Sequence, residues 1–245
     1  MSKKDRGDYS RSFITNTPAN LDSEEAKFYK KNIPKYPDEG IYIYNFRLGK
    51  MIYADGWEDV IGKPSNELGM VDVIDFTAPK FVPFVEEVND KALEFLHIRS
   101  HDLTKYSFSI EIKIKHKNDS EIPIFAWVSV HSCTKDGYLE SIMGRFQINR
   151  GLRFGKVMRY AAYGPEKGEF INALDSSLFK ALVISQKERE ALALVAEGYA
   201  LKQIAALLNV SQSAIEKRIK PLKKRYGVQS LPQLVYFAQQ NFLLD

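Results

Sequence analysis

Basic side chains are concentrated in a short stretch near the carboxyl end of the chain. Between Ser211 and Arg225 the sequence has one acid, Glu216, and six basic residues: Lys217, Arg218, Lys220, Lys223, Lys224 and Arg225. The formal net charge of all 245 residues is only +4. The net positive charge of this stretch alone is therefore at least as large as that of the whole chain. Ammonium groups repeated along one helix suit the phosphate backbone of a nucleic acid.

The spacing of apolar residues shows which side of this helix is buried. Ile215, Ile219 and Leu222 recur at intervals of four and three, which predicts a buried stripe. A second face carries polar residues at helical spacing: Ser213, Lys217, Lys220 and Lys224. A helix anchored on one side with lysines on the other fits a DNA major groove. A solvated face of an ordinary helical domain is the alternative.

Other reactive side chains give weaker indications. His131 and Cys133, two apart on a predicted strand, suggest a metal pair or a Cys–His nucleophile, but no third ligand or orienting acid is near them in sequence. His97, near the end of a long predicted helix, could ligate haem, and a solvated or hydrogen-bonded histidine is the interpretation we favour. No phosphate loop or nucleophile elbow occurs. We therefore expect no enzymatic activity, no metal and no cofactor.

Composition narrows the class of protein. With 44% hydrophobic and 27% charged residues, the chain is typical of a globular protein, and its length favours two modules. The single cysteine excludes an internal disulfide, and no apolar run is long enough to span a bilayer. The amino terminus has positive charge without an apolar core behind it. We expect a cytoplasmic protein that does not bind membranes.

Alternating hydrophobicity predicts a sheet in the amino-terminal half. IYIYNF and KMIYADG predict a hairpin around Gly49, and three further strands lie in residues 106–117, 122–133 and 139–149, with a long helix before them. Residues 124–133 are apolar on both faces, which predicts a cover on each side. This order of elements resembles a PAS domain. That resemblance implies a sensory or dimerising module with a pocket for a small, mainly apolar molecule.

Helix signals are dense after residue 184. Ser185 and Glu188 form a capping box for a helix that ends at Gly198, a second short helix stops at Asn209, and a third begins at Ser211. A fourth begins at Ser230 and offers three candidate interface residues: Leu234, Phe237 and Phe242. Two close-packed helices with a sharp turn between them are typical of a helix-turn-helix.

These residues resemble a LuxR-type (GerE-like) helix-turn-helix over about residues 183–245. The matching positions are Ile184-Ser185, Lys187-Glu188, Glu190, Ala196, Gly198, Gln203-Ile204-Ala205, Val210-Ser211, Ala214-Ile215-Glu216 and Arg225-Tyr226-Gly227-Val228. The resemblance implies double-stranded DNA as a partner and, since such domains usually pair on two half-sites, a homodimer. The expected DNA-contacting residues are Lys202, Ser211, Gln212, Ser213, Glu216, Lys217, Lys220 and Lys224.

Two departures from the family pattern affect the third helix. Glu216 stands where the family has a basic residue, and it would repel phosphate or accept a hydrogen bond from a cytosine amino group, depending on its orientation. Pro221 removes a backbone hydrogen bond to Lys217 and predicts a kink or an end of the regular helix there.

The whole chain is therefore predicted to be an α+β protein with four segments. These are a polar/helical extension whose part before the helix is expected to be loose (1–37), a PAS-like domain with a five-stranded antiparallel sheet (38–150), a connector (151–183) and a four-helix LuxR-type DNA-binding domain (184–245). The predicted function is transcriptional regulation through DNA. A quorum-type ligand-responsive regulator and a non-enzymatic protein-interaction adaptor are the alternatives.

Overall fold

The computed structural model describes residues 7–155, 157–173 and 184–244. The chain forms two compact units. One comprises Met1–Leu152 and Tyr160–Asp175, and the other comprises Arg153–Arg159 and Ser176–Asp245. The first contains a sheet with helices and the second is helical, so the predicted α+β class is confirmed.

The amino-terminal unit is built on one antiparallel sheet. Its strands are β1 (Glu39–Asn45), β2 (Lys50–Asp55), β3 (Ser107–Lys115), β4 (Glu121–Cys133), β5 (Leu139–Ile148) and β6 (Arg159–Tyr163). They lie in the order β2-β1-β5-β4-β3-β6. The hairpin between β1 and β2 turns at Gly49, which adopts the positive φ that favours glycine.

The sheet has six strands rather than the predicted five. The added strand, β6, falls in the segment 151–183 that the sequence predicts to be a connector. RYAAY has no clear alternation of polar and apolar residues, and Gly155 and Gly164 flank it on either side, so periodicity did not identify it. β6 instead forms because β3 has a free edge with unpaired backbone groups.

Helices cover the inner face of the sheet. Between β2 and β3 lie α3 (Trp57–Val60), α4 (Met70–Asp75), α5 (Val82–His97) and two short 3₁₀ turns (Ser65–Glu67 and Leu103–Lys105). The alternation predicted for β3 is present, with Phe108, Ile110, Ile112 and Ile114 buried. The apolar side of α5 is buried through residues that include Phe84, Val88 and Leu96.

The outer face of the sheet is covered only in part. Helix α2 (Glu24–Asn32) contributes Ala26 and Tyr29 to a cluster with Ile41, Ile43 and Tyr53. On β4 the inward residues Ile124, Ala126 and Val130 are buried, whereas Phe125 and Trp127 on the opposite face stay partly exposed. Trp127 stacks on the ring of Tyr163, with centroids 4.7 Å apart. The prediction of a cover on both faces is therefore correct for one face and only partly correct for the other.

Residues 7–23, which precede α2, are ordered, although the sequence predicts a loose segment there. Asp90 on α5 accepts hydrogen bonds from the backbone N–H of Gly7 (2.9 Å) and of Ser10 (2.8 Å) and from the Ser10 hydroxyl (2.7 Å). These bonds satisfy the amino end of helix α1 (Asp8–Arg11). Thr15 then donates its backbone N–H to the Tyr44 hydroxyl. Sequence reasoning missed the Ser10–Asp90 contact because its two sides lie 80 residues apart.

The carboxyl-terminal unit has the predicted four helices. After α6 (Lys167–Ala173) of the first unit, these are α7 (Gln186–Ala196), α8 (Leu201–Leu207), α9 (Gln212–Arg225) and α10 (Leu231–Gln240). One apolar cluster joins all four and also includes Val157. Leu234 lies in this cluster and is fully buried, so it belongs to the core and is not an interface residue as expected.

The contacts of Asp90 give a test of the ordered amino-terminal segment. Asp90→Ala removes three hydrogen bonds to a carboxylate, so we expect a loss of about 2 kcal/mol in stability. Backbone amides of residues 7–17 should exchange faster with deuterium. Asp59→Ala, at an exposed position on α3, should change neither. Unaltered exchange in residues 7–17 of Asp90→Ala would show that the carboxylate does not hold the segment.

Candidate nucleic-acid interface

Helix α7 is fixed at both ends by local chemistry. The Ser185 hydroxyl accepts from the Glu188 backbone N–H, and the Glu188 carboxylate accepts from the Ser185 backbone N–H at 2.9 Å. This is the capping box that the sequence predicts. After α7 the chain turns at Gly198, whose φ is +94°, a conformation that favours glycine.

The turn between α8 and α9 brings the two helices together. Asn209 adopts a positive φ of +51°, and Val210 donates its backbone N–H to the Ala205 carbonyl at 2.9 Å. Ala205 and Ile215 are both buried in the shared core, where the small side chain permits close approach of the helices. The Ser211 hydroxyl caps α9 by accepting from the Ala214 backbone N–H.

Helix α9 buries the apolar stripe that its sequence predicts. Ile215 and Leu222 are fully buried and Ile219 is 3% exposed. Because this stripe faces the core, the polar residues of the helix face solvent. The predicted contact residues are all exposed: Lys202, Ser211, Gln212, Ser213, Glu216, Lys217, Lys220 and Lys224. Lys202 lies on α8, and the others lie on α9 or at its cap.

Glu216 has a defined partner on the exposed face. The Gln212 side-chain amide donates to a Glu216 carboxylate oxygen at 2.9 Å, one helical turn away. The carboxylate therefore lies on the same side as Gln212, near the amino end of α9. Its remaining lone pairs can accept further hydrogen bonds, as a cytosine amino group would offer.

Pro221 does not end the helix. α9 runs without interruption from Gln212 to Arg225 with Pro221 inside it, so the predicted possibility of an end at this residue is wrong. The proline ring is exposed and lies on the side opposite the buried stripe. The flanking residues Ile219 and Leu222 are held in the core, and this packing keeps the helical path despite the lost hydrogen bond.

Arg225 is a residue whose position the sequence does not reveal. It is one of the six basic residues of the stretch, but its guanidinium turns inward to the Glu188 carboxylate on α7 at 3.0 Å. The side chains of Arg225 and Glu188 are 15% and 14% exposed. Burial by itself would lower the pKa of Arg225, and the Glu188 carboxylate outweighs it, so the pKa is raised. Arg225 follows Leu222 by three residues and Arg218 by seven, so all three lie on one side of the helix. This spacing could have indicated the inward position of Arg225.

The same ion pair links the first turn of α7 to the end of α9. Glu188 caps the start of α7 and also pairs with the end of α9. Next to the pair, Tyr226 stacks on Phe237 of α10 with ring centroids 4.5 Å apart. Burial raises the pKa of Tyr226 to about 12. Phe237 thus packs within the unit, while Phe242 remains 40% exposed.

The candidate histidine and cysteine sites have ordinary contacts. His97 Nδ1 lies 3.0 Å from the Tyr9 hydroxyl, and its ring packs edge-on against Phe13. His131 lies 3.4 Å from the Tyr29 hydroxyl. Burial lowers the pKa of both histidines. In residues 7–155, 157–173 and 184–244, no three His, Cys, Asp or Glu side chains converge as a metal site would require.

A cavity of about 70 Å³ lies in the amino-terminal unit, between the sheet and α5. Apolar side chains form most of its wall, among them Phe108, Val130 and Leu96. His97 and Cys133 are not part of the lining. Among the described helices, each is too short or too polar to cross a lipid bilayer.

The carboxyl-terminal unit has the architecture of a helix-turn-helix domain, with α8 and α9 as the paired helices. Residues 182–238 match the family GerE, described as bacterial regulatory proteins of the luxR family. The unit is a LuxR-family helix-turn-helix domain, as the sequence motifs predicted.

Curated relatives match a short part of this chain. The oxygen regulatory protein NreC from Staphylococcus aureus strain JH9 is 36% identical over 63 residues, which cover 26% of this chain and 29% of NreC. NreC from strain Mu3 / ATCC 700698 gives the same values. The chain therefore matches less than a third of the length of these relatives.

Two solved structures are similar over longer ranges. A Vibrio cholerae VqmA dimer, described among LuxR-type receptors, is 16% identical, with 90% of this chain and 88% of VqmA covered and a TM-score of 0.35. The PAS domain of Bordetella pertussis BvgS is 18% identical, with 52% and 88% covered and a TM-score of 0.34. TM-scores this low do not establish a shared arrangement. The PAS-like description of the amino-terminal unit rests on its own order of strands and helices.

The Glu188–Arg225 pair predicts a measurable contribution to the stability of the helical unit. Arg225→Ala leaves a mostly buried carboxylate without its partner, so we expect a loss of about 2–3 kcal/mol. Faster amide exchange in α7 and α9 should accompany the loss. A double-mutant cycle with Glu188→Ala should give a coupling of about 1–2 kcal/mol.

Lys224→Ala is the matched control for Arg225→Ala. Lys224 is the preceding residue on the same helix and is exposed. Its removal should therefore change stability by about 0.5 kcal/mol or less. Equal stability of the two variants would contradict a structural role for the ion pair.

Proposed function

We propose that this protein is a DNA-binding transcriptional regulator that reads double-stranded DNA with α9. The single observation that carries the proposal is the exposed lysine face of a helix whose opposite side is packed into a LuxR-family helix-turn-helix. The amino-terminal unit would serve as the sensory or dimerising module. The activity of the whole protein is part of this proposal.

The geometry of α9 supports insertion in a major groove. The helix contains 14 residues. A helix of this length extends about 21 Å, since each residue adds about 1.5 Å. The buried stripe holds the helix from behind, and Lys217 and Lys220 project from the free side. Because α9 continues through Pro221, Lys224 also keeps a helical position on this face. The three ammonium groups would contact phosphates along the groove.

Base recognition is proposed for the amino-terminal end of α9. Ser213, Gln212 and Glu216 are exposed there. The Gln212–Glu216 hydrogen bond orients two groups that can each read a base edge. Ser211, at the amino-terminal cap of α9, and Lys202, on α8, would contact the backbone. The start of α9 would therefore contact bases, and the residues farther along the helix would contact phosphates.

A ligand-responsive form of this function is favoured by the cavity in the amino-terminal unit. A small, mainly apolar molecule is the proposed ligand, since apolar atoms dominate the cavity wall. The proposed partners are double-stranded DNA and a second copy of the chain, and the proposed location is the cytoplasm. We do not propose a catalytic role, and a protein-interaction adaptor would differ by showing no salt-sensitive binding to DNA.

The lysine face leads to a prediction about salt dependence. Lys217→Ala should weaken binding to all DNA sequences alike, and the slope of log K against log salt should fall by about 0.9 for each phosphate contact that is lost. Electrophoretic shift or fluorescence anisotropy across a salt series would measure it. A base contact would instead cost about 1–3 kcal/mol on the preferred site alone.

Lys115→Ala provides the control because Lys115 lies on β3 of the other unit, and this change should leave affinity and slope unaltered. Unchanged DNA binding by a folded Lys217→Glu, Lys220→Glu double variant at physiological salt would contradict the proposed interface.

A homodimer is predicted from the need to pair two DNA-binding domains on two half-sites. Apolar residues that stay wholly or partly exposed near and on α10 are available for it: Val228, Pro232, Tyr236 and Phe242. Light scattering should give twice the monomer mass at micromolar concentration. The Tyr236→Glu variant should give a lower mass at the same concentration. A monomer mass throughout that range would contradict the prediction.

A further inference from the structure

Among the described residues, no charged side chain lines the cavity of the amino-terminal unit. Its wall combines sheet residues such as Val128 and Ile142 with residues of α5 such as Leu96. The polar side chains that reach it, including Asn89 and Ser129, are all neutral. An ionised ligand would lose its hydration there without a counter-charge, which is strongly unfavourable.

Tyr42 is a buried residue that lines this wall. The residue is 2% exposed, and its ring packs against Trp57 and Phe146, with centroids 6.3 Å and 6.0 Å away. No atom of the described residues forms a hydrogen bond with its hydroxyl. Burial raises the pKa of Tyr42, so the phenol stays protonated.

Other buried tyrosines of the unit form hydrogen bonds through their hydroxyls. The Tyr44 hydroxyl, on the same strand and the same face, accepts the Thr15 backbone N–H at 2.9 Å. The Tyr53 hydroxyl donates to Asp55 and the Tyr106 hydroxyl to Glu166. The Tyr42 hydroxyl is not one of the fully buried unpaired atoms of the described residues, so it is accessible from the cavity and can pair with a group that binds there.

Gly144 makes the position of this phenol possible. Tyr42 lies opposite Gly144 in the β1–β5 register, and Gly144 lies opposite Val128 in the β4–β5 register. A Cβ atom at position 144 would overlap the Tyr42 ring and lie 2.7 Å from its hydroxyl. The absent side chain thus lets the ring extend over β5 towards the residues of β4 that line the cavity.

We propose that the cavity binds a small, uncharged, largely apolar molecule whose one hydrogen-bonding group pairs with the Tyr42 hydroxyl. The inference rests on the ligand-binding part of the proposed function and does not depend on contact with DNA. The bound molecule would give the hydroxyl its missing partner while its apolar part fills the space between sheet and helix.

Segments from both ends of the unit close the cavity. Ser10 and Ile14 come from the amino-terminal segment, and Tyr163 and Phe170 come from β6 and α6. Arg99 holds the second segment through ion pairs with Glu166, at 2.9 Å, and with Glu169. The ligand therefore contacts the segment that leads in sequence to the helix-turn-helix domain.

Two probes of equal shape test the hydrogen-bonding group. Cyclopentanone has a carbonyl that can accept from the Tyr42 hydroxyl, and methylenecyclopentane is its isostere without an acceptor. Methyl NMR shifts of Val128, Val130 and Ile142 in the full-length protein would report binding in this cavity. We expect cyclopentanone to bind more tightly by about three- to tenfold, once the difference in hydration of the two probes is subtracted. Cyclopentylammonium, which is charged, should not bind.

Tyr42→Phe and Tyr44→Phe form a matched pair of variants. Tyr42→Phe should abolish the preference for cyclopentanone and leave methylenecyclopentane binding unchanged. In dialysed protein without probe, its Tm should be nearly unchanged, because no hydrogen bond within the protein is lost. Tyr44→Phe loses a hydrogen bond, so its Tm should fall by about 2–4 °C, with the probe preference retained.

The outcomes separate this inference from the ligand-binding proposal. Equal preference in wild type and Tyr42→Phe, with both probes bound in the cavity, would overturn the role of Tyr42 and leave a ligand cavity. A Tm of Tyr42→Phe that falls as far as that of Tyr44→Phe would overturn it as well. Failure of both probes to shift the cavity methyl groups at millimolar concentration would end both proposals.

Discussion

Burial of the apolar stripe of α9 is the constraint on which the candidate interface depends. Ile215, Ile219 and Leu222 cannot face water without a large loss of hydrophobic free energy, so they fix the rotation of the helix about its axis. That rotation alone decides which lysines are free. The Glu188–Arg225 pair adds a polar link at the end of the helix. The proline inside α9 is tolerated because this packing holds the residues on both sides of it.

The amino-terminal unit also depends on burial of apolar residues, in this case those on one face of a sheet. One face must be covered by α5, but the aromatic and branched side chains at that interface leave a cavity of about 70 Å³. Asp90 on this helix accepts three hydrogen bonds from the amino-terminal segment. In the cavity wall, the Tyr42 hydroxyl has no hydrogen-bond partner among the described residues and is available to a bound molecule.

Much of the fold could be predicted from local signals. Two-residue alternation marked five strands, and capping residues such as Ser185 and Ser211 marked helix starts, because these features act within a few residues. β6 and the amino-terminal segment were missed since neither has a periodic pattern, and each is held by partners far along the chain. The lysine face followed from spacing, whereas the inward turn of Arg225 depended on an acid 37 residues away.

The sequence by itself determined the helix-turn-helix domain, its family and the polar face of α9, because helical periodicity and end-capping chemistry act over a few neighbouring residues. Only the tertiary structure decided that Arg225 is removed from the exposed basic set and that Leu234 is core. The cavity and the unpaired hydroxyl of Tyr42 also belong to this second group. They arise from the cross-strand register of Tyr42, Gly144 and Val128, and register joins residues that no local pattern connects.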